Sequence, residues 1–90
     1  MPTIYVVEEQ SVSWLFASKT EAEAFDSSRY DRHRYSRVVP LGEQHRFNPE
    51  DPDCSLEVGP NQQKCRRILR HVNRWWKARD AWWASLGDTN

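Results

Sequence analysis

Four of the five tryptophans of this 90-residue chain fall in one stretch, RWWKARDAWW, residues 74–83. On a helix, Arg79 stands three or four residues from each of Trp75, Trp76, Trp82 and Trp83, so every indole can reach its side chain. A guanidinium among indoles gains cation–π attraction of about 0.5–2 kcal/mol. It can either lay its stem over the rings and reach water, or present its head to a carboxylate or phosphate of a partner. The groups that do covalent or metal chemistry are sparser. Cys54 and Cys65 lie eleven positions apart, and His45 and His71 could join them, but no compact ligand spacing results. On a helix Cys65 and His71 point about 120° apart. The sequence carries no glycine-rich phosphate loop, nucleophile elbow or zinc-protease helix. It therefore predicts no catalytic residue, no metal and no cofactor, and a function in binding rather than catalysis.

The elements that would carry these residues follow from hydrophobic period. Residues 3–9, TIYVVEE, read as a strand, and residues 11–17, SVSWLFA, as a second that alternates Val12, Trp14 and Phe16 on one face. Ser18 with Glu21 forms a capping box for a short helix over residues 19–27, whose Ala22 and Phe25 would face the sheet. Residues 34–41, RYSRVVPL, read as a third strand, placed at a sheet edge by the ladder donor missing from Pro40. Residues 42–60 hold a cluster of prolines and glycines and read as a loop, with one helical turn near NPED. Pro60 opens a long helix over 61–86 that Gly87 stops. The expectation is one α+β domain: a three-stranded ββαβ unit over 3–41, the loop, and an amphipathic C-terminal helix.

The pattern TIYVVEE…WLFASKTEAEAF…YSRVVPL resembles the strand–strand–helix–strand unit of small bacteriophage-encoded proteins, anti-CRISPR proteins among them. The resemblance covers residues 3–41, is one of pattern, and transfers no functional residue. It implies an inhibitor that occupies a host protein or nucleoprotein assembly.

Placed on one helix, Cys65, Ile68, Leu69, Val72, Trp75, Trp76, Trp82, Trp83 and Leu86 form an apolar stripe about 140° wide, with Arg79 at its centre. A 26-residue helix is about 39 Å long, whereas six-residue strands span only about 20 Å. The inner half of the stripe, Ile68 to Trp76, can cover the sheet. The outer half needs the loop, a second copy or a partner over it. Arg79, Trp82, Trp83 and Leu86 are therefore the candidate partner-binding residues, of types enriched in interface hot spots.

Charge adds a second candidate surface. Net charge is zero, but residues 1–63 sum to −5 and residues 64–90 to +5. Arg66, Arg67, Arg70, Arg74 and Lys77 lie on the helix face opposite the stripe. They are either a solvated face or a site for an anionic partner such as nucleic acid. Basic and aromatic residues also interleave at 29–35, RYDRHRY, either as a polar connector or as a second anion contact. The acidic residues Glu50, Asp51, Asp53 and Glu57 lack calcium-loop spacing. With no long apolar run and no export signal, the sequence predicts a cytoplasmic protein with reduced thiols.

Overall fold

The computed structural model describes residues 3–28 and 36–87. The basic-aromatic stretch of Arg29, Tyr30, Arg32, His33, Arg34 and Tyr35 lies outside them. Strands β1 (Tyr5–Glu8) and β2 (Val12–Phe16) form a hairpin, closed by Glu9 N–H donating to the Val12 carbonyl at 2.9 Å. Helix α1 (Lys19–Ser28) follows, and Ser18 Oγ accepts from the Glu21 N–H at 3.2 Å, the N-cap bond expected of that spacing. Strand β3 (Arg37–Pro40) pairs antiparallel with β1 and is an edge strand, as Pro40 requires.

The three-stranded expectation is corrected by a fourth strand inside the supposed loop. Strand β4 (Ser55–Val58) pairs parallel with β2, giving the sheet order β3-β1-β2-β4. It offers only Leu56 and Val58 as apolar residues, between Pro52 and Gly59-Pro60, too short a pattern to separate from a loop. Its ladder is extended by Ser55 N–H to the Ser11 carbonyl and Gly59 N–H to the Leu15 carbonyl. The helical turn of this region is also displaced: a 3-10 turn occupies Glu43–His45, whereas Asn48–Asp51 is an Asx-type turn, its Oδ1 accepting from the Glu50 N–H.

The long helix, α2, runs over Arg66–Gly87 rather than starting at 61. Asn61 has φ 69°, a left-handed conformation that a helix cannot contain but that asparagine tolerates. Gln62, buried, is also committed elsewhere. Its Oε1 accepts from the Ala17 N–H at 3.0 Å and its Nε2 donates to Glu21. The turn thus ties β2, α1 and the approach to α2 together before the helix begins.

Alternation along the strands separates two cores. Tyr5, Val7, Trp14, Phe16 and Val38 pack with Ala22 and Phe25 of α1. Val6, Leu15, Val39, Leu56 and Val58 point the other way and pack with Ile68, Val72 and Trp75 of α2. The sheet is therefore covered on both faces. Gly59 is needed where β4 ends, since a Cβ there would meet the Leu15 carbonyl oxygen and the Phe16 ring at 2.6 Å.

Candidate docking surface

At 1.5 Å per residue, the 22 residues of α2 extend about 33 Å, against about 13 Å for a four-residue strand. The helix must outrun the sheet, and its four indoles record where cover ends. Trp75 is buried, 6% exposed, and meets Phe47 edge-on at 5.6 Å and Trp76 at 4.9 Å. Trp76 is half-buried and its Nε1 donates to the Leu56 carbonyl at 2.9 Å, fastening α2 to β4. Trp82 lies beyond the strands but leans on Phe47, with ring centroids 5.8 Å apart. The segment before β4 therefore covers one side of the outer stripe. Trp83 and Leu86 are less covered. They are 45% and 46% exposed, the large apolar residues most open to water among those described.

Arg79 sits between the two pairs. Its guanidinium carbon lies 5.2 Å from the Trp76 ring centre and 5.7 Å from that of Trp83. Its Nε is closed to solvent and has no hydrogen-bond acceptor. Indole faces replace a water or carboxylate acceptor only in part, so this N–H carries an uncompensated desolvation cost. The resulting ridge, Trp76–Arg79–Trp83–Leu86, is a cation stacked between rings with an apolar step at its end. On the opposite face Arg66, Arg70, Arg74 and Lys77 are exposed and Arg67 is half-buried.

Another cluster, scattered through the sequence, meets where β1 ends at Glu8, beside the 3-10 turn. His45 is buried. The Gly42 N–H donates to its Nδ1 at 3.0 Å, so the ring proton sits on Nε2 and is donated to Glu8 at 2.6 Å. Arg37 Nε donates to the other Glu8 oxygen at 2.6 Å. Burial by itself would raise the Glu8 carboxyl, but the bonds from Arg37 and His45 outweigh it and hold it below the usual carboxylate range. Glu8 and His45 line a cavity of about 290 Å³ together with Asp51 and Cys54. Cys54 Sγ donates to Asp51 at 2.8 Å. Burial, that bond and the nearby Asp53 charge push the thiol up to about 11. Both His45 nitrogens are engaged, so His45 does not serve this sulfur as a base, and the bonds from His45 and Arg37 to Glu8 tie β1, β3 and the 3-10 turn together. No sequence signal pointed to it, because its members come from β1, β3 and two turns.

Cys54 and Cys65 are free thiols. Among the described residues no three His, Cys, Asp or Glu side chains converge as metal ligands, and no helix is long and apolar enough to cross a membrane. The four acidic residues disperse: Asp51 binds Cys54, and Glu57 is half-buried within β4. Compared with protein-family models, with curated proteins and with solved structures, the chain matches none.

Proposed function

We propose that the protein is a non-enzymatic docking module that binds a partner protein through the distal end of α2. The observation that carries this reading is the exposure of Trp83 and Leu86, three residues apart on one helix face, on a part of α2 that no strand reaches. Two half-exposed large side chains at a projecting tip form an apolar patch of the kind that marks interaction sites. Arg79 beside them supplies a stacked guanidinium whose Nε lacks an acceptor. A partner carboxylate or carbonyl would pair with the terminal nitrogens of that guanidinium, its Nε being closed to solvent, as the indoles become buried, the setting in which Trp and Arg act as hot spots. Trp82, held by Phe47, stiffens the ridge and contributes its free edge. Glu8, Arg37 and His45 are engaged with one another, as are Cys54 and Asp51, which favours binding over catalysis there. An inhibitor that occupies a host protein or nucleoprotein assembly, as the small phage proteins do, is one role such a ridge serves.

The test pairs immobilised wild-type protein with a Trp83→Ala/Leu86→Ala variant in a bacterial lysate treated with nuclease. Proteins retained by wild type and lost by the variant, at unchanged far-UV circular dichroism, support the reading. Sedimentation of the purified chain separates the other outcome, in which the patch joins two copies. Equal retention by the two proteins contradicts it.

A further inference from the structure

Arg67, His71, Arg74 and Ala78 recur at i, i+4, i+7 and i+11 and form a row along one edge of α2, between its buried stripe and its solvent face. The segment after the 3-10 turn comes against this row with Arg46 and Phe47. Between them lies a cavity of about 350 Å³ lined by Arg46, Phe47, His71, Arg74, Trp75 and Ala78. A second depression, about 240 Å³, continues along the same edge past Ile4, Arg67 and Arg70, sharing His71 and Arg74. Among the described residues, neither lining includes a carboxylate. The one ion pair of Arg46 among the described residues, to Glu43 at 3.9 Å, joins two well-exposed side chains and is weak. Arg74 is exposed and makes no ion pair among the described residues. Among the described residues, the two guanidiniums thus stand over an aromatic wall with only the exposed Glu43 near Arg46 to answer them.

His71 adds to the asymmetry. Its Nε2 is closed to solvent and has no hydrogen-bond partner. Burial lowers its proton affinity, and the charges of Arg74 and Arg46 lower it further, against a hydrogen bond to the His45 backbone that raises it. Arg74 faces the ring from α2 itself, whereas His45 and Arg46 face it from the 3-10 turn. An anion between Arg46 and Arg74 would cancel the repulsion and favour the imidazolium.

We propose that this cavity binds a nucleotide, with the phosphate between Arg46 and Arg74 and the base against Phe47 and Trp75. Guanidiniums match phosphate oxygens, and any base can stack on an aromatic wall. A volume of about 350 Å³ is at the small end of ligand pockets, which run from about 300 Å³ upward, and an acidic side chain would leave most of it empty. The nucleotide is either free or the end of a single strand whose next phosphates follow Arg67 and Arg70. The site uses neither Trp83 nor Leu86, so it stands or falls separately from the docking ridge.

The test is calorimetric titration of the full chain with adenosine monophosphate, inorganic phosphate, an adenine pentanucleotide and a glutamate-rich peptide. The expected order places the nucleotide at least about tenfold above phosphate and peptide. Arg74→Ser should weaken it at least about tenfold, and so should Ala78→Trp, which fills the cavity from an exposed helix position without touching charge. A pentanucleotide that binds more tightly than the monomer, and loses that margin in Arg67→Ser/Arg70→Ser, identifies a strand end. Equal binding of the two identifies a free nucleotide. Phosphate or the peptide binding as tightly as the nucleotide overturns the proposal, as does nucleotide binding that ignores Ala78→Trp, or no binding of any probe. Circular dichroism of each variant, and Arg46→Ser on the loop side, separate a lost site from a lost fold.

Discussion

Replacing Trp75 and Trp83 by alanine, one at a time, removes the same side chain from the same helix in two different environments. Trp75 keeps 6% of its surface in water and contacts Phe47, Trp76 and the core of Ile68 and Val72. An indole that buries about 200 Å² at about 25 cal/mol/Å² loses about 5 kcal/mol on removal, an upper figure that residual packing trims to about 3–5 kcal/mol. Trp83 keeps 45% of its surface in water, and its losses are the ring contact with Trp82 and the stacking on Arg79. Those are worth about 1 kcal/mol together. A 90-residue domain has about 5–13 kcal/mol of stability in total, so Trp75→Ala removes a large share of it and Trp83→Ala little. Urea unfolding followed by far-UV circular dichroism measures both, and an unchanged m-value secures the comparison. In thermal melts the first variant should fall by more than about 12 °C and the second by less than about 8 °C. Equal losses would place the Trp83 indole in the monomer's core and leave no exposed ridge.

Stability should also fall with acid in two stages. The folded proton affinities of Glu8 and His71 are both depressed, so each contributes stability that is present above its unfolded value and lost as pH falls toward its folded value. For His71 the decline begins near its ordinary value of 6.5, and for Glu8 near 4.5, so urea midpoints measured in His71→Gln should lack the first stage and in Glu8→Gln the second. Gly59→Ala should destabilise by about 1–3 kcal/mol, since its methyl would press on the Leu15 carbonyl and the Phe16 ring, and an unaltered midpoint would show that β4 shifts freely. Iodoacetamide should label Cys54 slowly at about pH 8 in a Cys65→Ser background, and Asp51→Asn should speed it, as mass spectrometry would record.

Where the sequence was legible, a period or a pairing rule reached across neighbours. The β1–β2 hairpin, the Ser18–Glu21 cap and the edge position of Pro40 all depend on residues a few places apart. The same holds for the burial of Ile68, Val72 and Trp75 on one face of α2. Strand β4 was not legible, because two apolar residues in four make no period and its partner β2 lies some forty residues earlier. The start of α2 was misplaced because Pro60 suits a first turn, whereas the positive φ of Asn61 and the ties from Gln62 to Ala17 and Glu21 are set by tertiary neighbours. For the site, heptad-like spacing placed Arg79 among the indoles, but it could not show that Phe47 would shelter Trp82 and leave Trp83 open. The Arg46–His71–Arg74 cavity was invisible for the same reason: one wall comes from a turn with no pattern of its own.

Photo-crosslinking from the ridge itself shows whether the distal end of α2 docks on a partner protein. Trp83→p-benzoylphenylalanine keeps an aromatic side chain of similar bulk where the surface is 45% exposed, and Lys77→p-benzoylphenylalanine puts the same group on the opposite, exposed face of the helix. On irradiation in a nuclease-treated bacterial lysate, position 83 should form one dominant adduct with a different polypeptide, absent from position 77 and lost when unlabelled wild-type protein is added in excess. An adduct only with a second copy of this chain, the same adducts from both positions, or none at 83 would contradict it.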